Sequence, residues 1–200
     1  MGTVAHVLRR YDETRVKAFR WCDELAWPGK LLLAFDVAAL TGLLAQMRLV
    51  LPFTPVPVTG QVFGVLLAGA VLGGGWGALS MAMYVGLGAG GACWFAEFTG
   101  GMGILAGVTG GYLIGFVPAA ALVGLATKHS SIARRFWAQC LLMLIGVAVI
   151  YLFGAAWLSR VLHTGMRDTL LLGVLPFVAV DVGKALLAAA IACAVLPRRR

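Results

Sequence analysis

FWAQCLLMLIGVAVIYLFGAAWL, residues 136–158, runs for 23 residues without a formal charge. A perpendicular bilayer crossing needs about 20 apolar residues, so this stretch reads as a membrane helix. The composition agrees. Of 200 residues, 61% are hydrophobic and only 12% are charged, and the mean hydropathy is +0.94. A soluble domain is about half apolar and a quarter charged. The chain is therefore expected to be an all-α integral membrane protein. No polar linker is long enough to separate two domains, so it reads as one bundle.

Working outward, the hydropathy predicts six membrane helices, at 30–51, 59–72, 76–88, 109–126, 136–158 and 170–196. The second and third are shorter than a span needs and are expected to pack inside the bundle. The predicted organisation is a basic amphipathic segment at 1–29, a membrane domain at 30–197 and a basic tail at 198–200. In the first segment Val4, Leu8, Tyr11, Ala18, Cys22 and Leu25 recur at helical spacing. Arg9, Arg10, Arg15, Lys17 and Arg20 supply its polar side. That pattern suits a helix on an anionic membrane surface, or an ordinary solvated one. It lacks the continuous apolar core of a cleaved leader, so the first membrane helix is expected to act as the insertion signal.

The net charge of +8 is better read as topology than as a sign of nucleic-acid binding. Twelve Lys and Arg fall on one side of the predicted bundle and three (Arg48, Arg160, Arg167) on the other, with Lys184 inside the last helix. Basic loops stay in the cytoplasm, so both termini are expected there. Cys22, Cys93, Cys140 and Cys193 form no CxxC pair, and the three histidines are scattered. Zinc-type sites need clustered ligands, so neither a metal nor a cofactor is expected.

With that topology, the unusual residues collect toward the outside. Asp181 lies 15 residues before Leu196, about 22 Å from the inner end of its helix at 1.5 Å per residue. Lys184 follows at i+3, on the same helix face. Gln61, Tyr84, Thr109 and Tyr112 fall in the same half, as do Gly/Pro-rich external loops. One of these, LPFTPVPVTGQ at 51–61, carries Pro52, Pro55 and Pro57. Irregular backbone at membrane depth is tolerated where it is buried or lines a cavity, and prolines lack the N–H that would need a partner. The loop can therefore cover a cavity, with Phe53 and Val56 as its dry side, or it can be a stiff connector. Asp181 and Lys184 can likewise recognise a ligand or form a structural ion pair. Intramembrane charges are usually functional. Asp36 alone stands apart, toward the inner end of the first helix. Gly69–Gly77, Gly86–Gly91 and Ala34-x-x-x-Ala38 are small-residue faces suited to close helix packing.

Four of these segments together resemble the BioY family, the biotin-binding substrate components (S components) of energy-coupling-factor transporters. They are PFTPVPVTGQ (52–61), LLAGAVLGGGWGALS (66–80) with Tyr84, GVTGGYLIGF (107–116) and Asp181-x-x-Lys184-Ala185. In order, they cover about residues 30–197. The resemblance implies a six-helix bundle that binds biotin at its external side. It implies a bacterial inner-membrane location, and partnership with a transmembrane coupling protein and two ATPase subunits. Asp181 and Lys184 are implied to contact the ligand. Gln61, Tyr84, Thr109, Gly111 and Tyr112 match further positions of the pattern, and Phe53, Trp94 and Phe95 could complete an apolar lining. Ala34 and Ala38 match the motif that contacts the coupling protein. The chain departs from the pattern at Ala92-Cys93-Trp94-Phe95, at Val108 in place of proline, and at Gly60 in place of a larger apolar residue.

The ligand chemistry suits those residues. A ureido group offers two N–H donors and one carbonyl, which Asp181, Lys184 and Gln61 can match. The alternative is a component of the same fold for another small molecule. An intramembrane enzyme fits poorly, because Ser80 sits in Ala78-Leu79-Ser80-Met81 rather than in a Gly-x-Ser-Gly. The sequence also has no GxxxxGK[ST] loop, so the energy for uptake is expected from partners.

Overall fold

The structure is a computed structural model. It describes His6, Arg10, Tyr11 and residues 13–17, 24–130 and 132–197. Its helices are α1 (Trp27–Ala45), α2 (Gln61–Leu72), α3 (Gly74–Ala89), α4 (Met102–Ala106), α5 (Gly110–His129), α6 (Phe136–Leu162), α7 (Met166–Gly173) and α8 (Leu175–Val195). A two-stranded antiparallel ribbon, β1 (Arg48–Leu49) with β2 (Val58–Thr59), pairs Arg48 with Thr59 and Leu49 with Val58. Among the described residues, four helices, α1, α5, α6 and α8, are long and apolar enough to cross a membrane. The other two expected spans are short. α2 has 12 residues and α3 has 16, so they rise about 18 and 24 Å. Both pack against α5, and eight of the α2 residues are buried.

Close approach is set by glycine. α2 and α3 join at Gly73, whose φ of 81° lies in the left-handed region that costs a side-chain-bearing residue. Gly124 of α5 faces this joint. A Cβ there would sit 2.6 Å from Gly69 O and even nearer Gly73 C and Gly74 N.

Two predicted boundaries are corrected. The first helix was expected to run to residue 51, but α1 stops at Ala45 and the chain turns into β1. Gly60 N–H donates to Leu44 O (3.1 Å) and Met47 O (3.0 Å), using acceptors at the end of the helix. A Cβ on Gly60 would lie 2.6 Å from Leu44 O, so the turn leaves no room for a side chain there.

The last helix was expected to be continuous from 170, but it breaks at Val174 (φ −127°, ψ −59°) between α7 and α8. Pro176 has no N–H to give Leu172 O, and Phe177 N donates to Val174 O instead of Gly173 O. Side chains take the two freed carbonyls. Thr54 Oγ1 donates to Leu172 O at 2.6 Å and Tyr112 Oη to Gly173 O at 2.7 Å. The proline-rich loop is thus tied to the helix break. Leaving a buried acceptor unpaired costs about 1–3 kcal/mol. Thr54→Val should therefore lower the thermal midpoint of the purified chain; an unchanged midpoint would show that this bond contributes nothing.

At the opposite end, Tyr11 Oη donates to Ala194 O (2.7 Å) and Arg15 to Cys193 O (2.7 Å) and Leu196 O, so the N-terminal segment caps the carbonyls that end α8. The positions Val4, Leu8, Arg9, Ala18, Arg20 and Cys22 of the expected amphipathic helix lie outside the described residues, as does the tail at 198–200.

Candidate functional site

A cavity of about 210 Å³ lies between the ribbon, the 92–101 loop and the adjoining regions of α2, α5, α6 and α8. The backbone rules already described place its polar wall. Because the ribbon ends at Gly60, β2 delivers Thr59 and α2 begins with Gln61 at the cavity edge. Because α8 restarts after Val174, Asp181 falls on its second turn, facing inward and 4% exposed.

The polar groups form two linked sets. In the first, Lys184 Nζ donates to Asp181 Oδ1 at 2.7 Å and to Thr59 O at 2.5 Å. Tyr151 Oη of α6 donates to Asp181 Oδ2 at 2.7 Å. In the second, Thr59 Oγ1 donates to Gln61 Oε1 at 2.7 Å and Gln61 Nε2 donates to Tyr84 Oη at 2.6 Å. Tyr84 Oη donates onward to Trp94 O at 3.3 Å, and Trp94 Nε1 returns to Tyr84 O at 2.9 Å. An ammonium has three donors and an ionised carboxylate about four acceptor sites. Lys184 therefore keeps one proton, and Asp181 spare lone pairs, for a ligand. Most of the remaining lining is apolar, with Val56, Val62, Phe95, Phe116, Ile150 and Phe177, interrupted by Thr99, Thr109 and Tyr112. Arg48 and Glu97 form an ion pair of 2.5 Å at its edge. A single polar corner in an apolar cavity suits a small, mostly apolar ligand with a compact hydrogen-bonding head.

The structure brings Gln61, Phe95, Thr109, Tyr112, Asp181 and Lys184 into the lining of one cavity. Phe95 is 1% exposed, and its ring occupies the space where Gly88 lacks a Cβ. Tyr84 is 0% exposed and stands behind Gln61 rather than in the wall. Trp94 packs on Tyr84, with ring centroids 5.5 Å apart. Phe53 is 60% exposed, on the outer side of its loop, while Val56 does line the cavity.

Tyr151 and Thr59 also line the cavity, though neither was expected there from the sequence. Tyr151 carried a signal, as the one tyrosine in the uncharged 136–158 run. Thr59 contributes a backbone carbonyl, for which a sequence holds no signal.

The expected partner-facing pair lies against α3 within the chain. Ala34 and Ala38 are 0% exposed, and Ser80 Oγ of α3 donates to Ala34 O at 2.7 Å. Their small side chains let α1 lie close to α3 within the chain, so a different face of α1 points outward.

Comparison with known proteins is consistent with this geometry. The family model described as "BioY family" matches residues 17–200. The chain is 44% identical over 154 residues to the "Probable biotin transporter BioY" of Pyrococcus horikoshii, covering 77% of this chain and 88% of that protein. It is 43% identical over 142 residues to the biotin transporter BioY of Thermotoga maritima, covering 71% and 82%. Among solved structures, it resembles the S-component for biotin from an ECF-type ABC transporter. The TM-score is 0.76 at 25% identity, over 82% of this chain and 89% of that one.

Proposed function

The chain belongs to the BioY family, and from that premise we propose that it is the biotin-binding component of an uptake transporter, not an enzyme. The observation that carries this is the Asp181–Lys184 pair, set in an otherwise apolar cavity with donor and acceptor capacity to spare. Asp181 accepts a ureido N–H, Lys184 donates to the ureido carbonyl, and Gln61 completes the head-group contacts. Phe95, Tyr112 and Thr109 line the path of the ring and chain. Tyr84 fixes the Gln61 amide, and Tyr151 holds the carboxylate toward the cavity.

The protein is a multi-pass membrane protein. In the proposed arrangement α2 and α3 complete six membrane helices, both termini are cytoplasmic and the cavity opens to the exterior of a bacterial inner membrane. Residues 30–197 form the binding domain, flanked by the basic segments 1–29 and 198–200. Transport is energised by a membrane coupling protein with two ATPase subunits. Equilibrium binding of radiolabelled biotin to the purified chain, with thiamine and riboflavin as competitors, tests the substrate. Saturable binding displaced only by unlabelled biotin is expected. Displacement by another vitamin in preference to biotin would transfer the same site to a different ligand.

A further inference from the structure

The end of the bundle opposite the candidate site holds a second cavity, of about 130 Å³. Four cationic side chains line it, Arg15, Lys30, Lys128 and Arg134, and among the described residues no carboxylate does. They come from four parts of the chain: the N-terminal segment, the first turn of α1, the last turn of α5 and the α5–α6 connection. An anion placed among them is attracted by all four. The two arginines are fixed by nearby backbone. Arg134 Nε donates to Thr127 O and Nη1 to Pro197 O, both at 3.1 Å, and Arg15 donates to Cys193 O at 2.7 Å. Both are buried, so they set positive charge at the back of the cavity. The lysines stand further out, Lys30 half-buried and Lys128 exposed. The stem of Lys128 lies across the α2–α3 joint, where a Cβ on Gly73 would stand 3.4 Å from Lys128 Cδ. Its ammonium, with three donors, makes no hydrogen bond or ion pair among the described residues.

The aromatic residues give the depth of this cavity. Trp27 opens α1 and Phe136–Trp137 open α6 at the same end of the bundle, and Trp27 and Trp137 are 67% and 79% exposed. Tryptophan collects at the level of the lipid head groups. Trp76, in the first turn of α3, lines the cavity itself, beside Leu33, Val71, Leu72 and Val195. The geometry points to a site for the phosphate group of an anionic phospholipid. Lys30 and Lys128 donate to the phosphate at the mouth, the two arginines supply charge behind it, and an acyl chain leaves past Trp76 and Leu33. Basic pockets between membrane helices suit lipid head groups in this way. A soluble phosphate would meet the same cations but would leave the tryptophan and the apolar side unused. The inference goes beyond the proposed function. It needs only the membrane placement and stands whatever the other cavity binds.

The test titrates the purified full chain in nonionic detergent with phosphatidylglycerol, and separately with phosphatidylcholine, whose own choline offsets its phosphate. Native mass spectrometry reads the lipid retained. Phosphatidylglycerol is expected to bind about tenfold or more tightly than phosphatidylcholine. Lys30→Gln combined with Lys128→Gln should weaken phosphatidylglycerol binding by about tenfold or more. Arg135→Gln removes an exposed charge at the same end but outside the cavity, and should keep that binding within about twofold. Should the double variant fail to fold, Lys128→Gln alone, at an exposed position, carries the test with an expected loss of about threefold. Inorganic phosphate at millimolar concentration should leave the lipid in place. Equal retention of the two lipids overturns the inference, as does an equal loss in Arg135→Gln and the double variant. Wild-type binding by Lys128→Gln overturns it too. Displacement of the lipid by inorganic phosphate would give the cavity to a soluble phosphate and overturn the lipid assignment.

Discussion

Asp181→Ala is expected to weaken biotin binding by about thirtyfold or more, equivalent to about 2 kcal/mol. Removing one member of a buried, hydrogen-bonded charge pair typically costs about 2–5 kcal/mol, much of it from the charge left behind. Here the group left behind is Lys184, which would retain only Thr59 O, and Tyr151 would lose its acceptor. Lys184→Ala should cost about tenfold or more, because the carboxylate keeps Tyr151 but loses its cation. The double variant should fall short of the product of the two, since both changes remove the same pair. Equilibrium binding to the purified chains measures all three. Wild-type affinity in both single variants would remove these residues from the site, whatever the chain binds.

The second large effect is structural. Gly124→Val should destabilise the bundle by roughly 3 kcal/mol, seen as a lower thermal midpoint in detergent and poor recovery from membranes. The reason is the nature of the obstacle. The added carbon meets Gly69 O, Gly73 C and Gly74 N, all of them backbone, so no side-chain rotation can make room. Gly86→Ala is the control, since nothing lies within 4 Å of a Cβ there. Equal stability of the two variants would mean that α5 and the α2–α3 joint have room to move apart.

What could be read in advance follows from the kind of signal each feature carries. The membrane class was legible because hydropathy depends on composition alone, and Phe136–Leu162 needs nothing else to declare itself. The α2–α3 joint was legible at Gly73 and Gly74, because glycine runs mark backbone constraints. The end of α1 was not legible. Residues 46–51 are mostly apolar, and the Gly60 N–H that takes Leu44 O and Met47 O at its end comes from a distant part of the sequence. The break before α8 was half legible, since Pro176 announces a lost bond but Thr54 and Tyr112, which repair it, are distant in sequence.

At the site, the i,i+3 spacing of Asp181 and Lys184 gave the pair directly. Gln61 lines the cavity as its position suggested, whereas Tyr84, expected in the lining, stands behind Gln61. Spacing along a helix gives a face, whereas the number of side chains between that face and the cavity depends on tertiary packing. Ala34 and Ala38 show the same limit, since they pack against α3. A small-residue face signals close packing without saying whether the neighbour is another chain or α3.

The proline-rich loop also constrains how the cavity can be opened. Three prolines within six residues hold their φ angles fixed, so the segment behaves as a stiff plate. It is held at its ends by the Arg48–Thr59 ribbon and, among the described residues, by the bond from Thr54 to Leu172 O. Any opening on that side would have to break that bond or unpair the ribbon, so the loop cannot lift residue by residue.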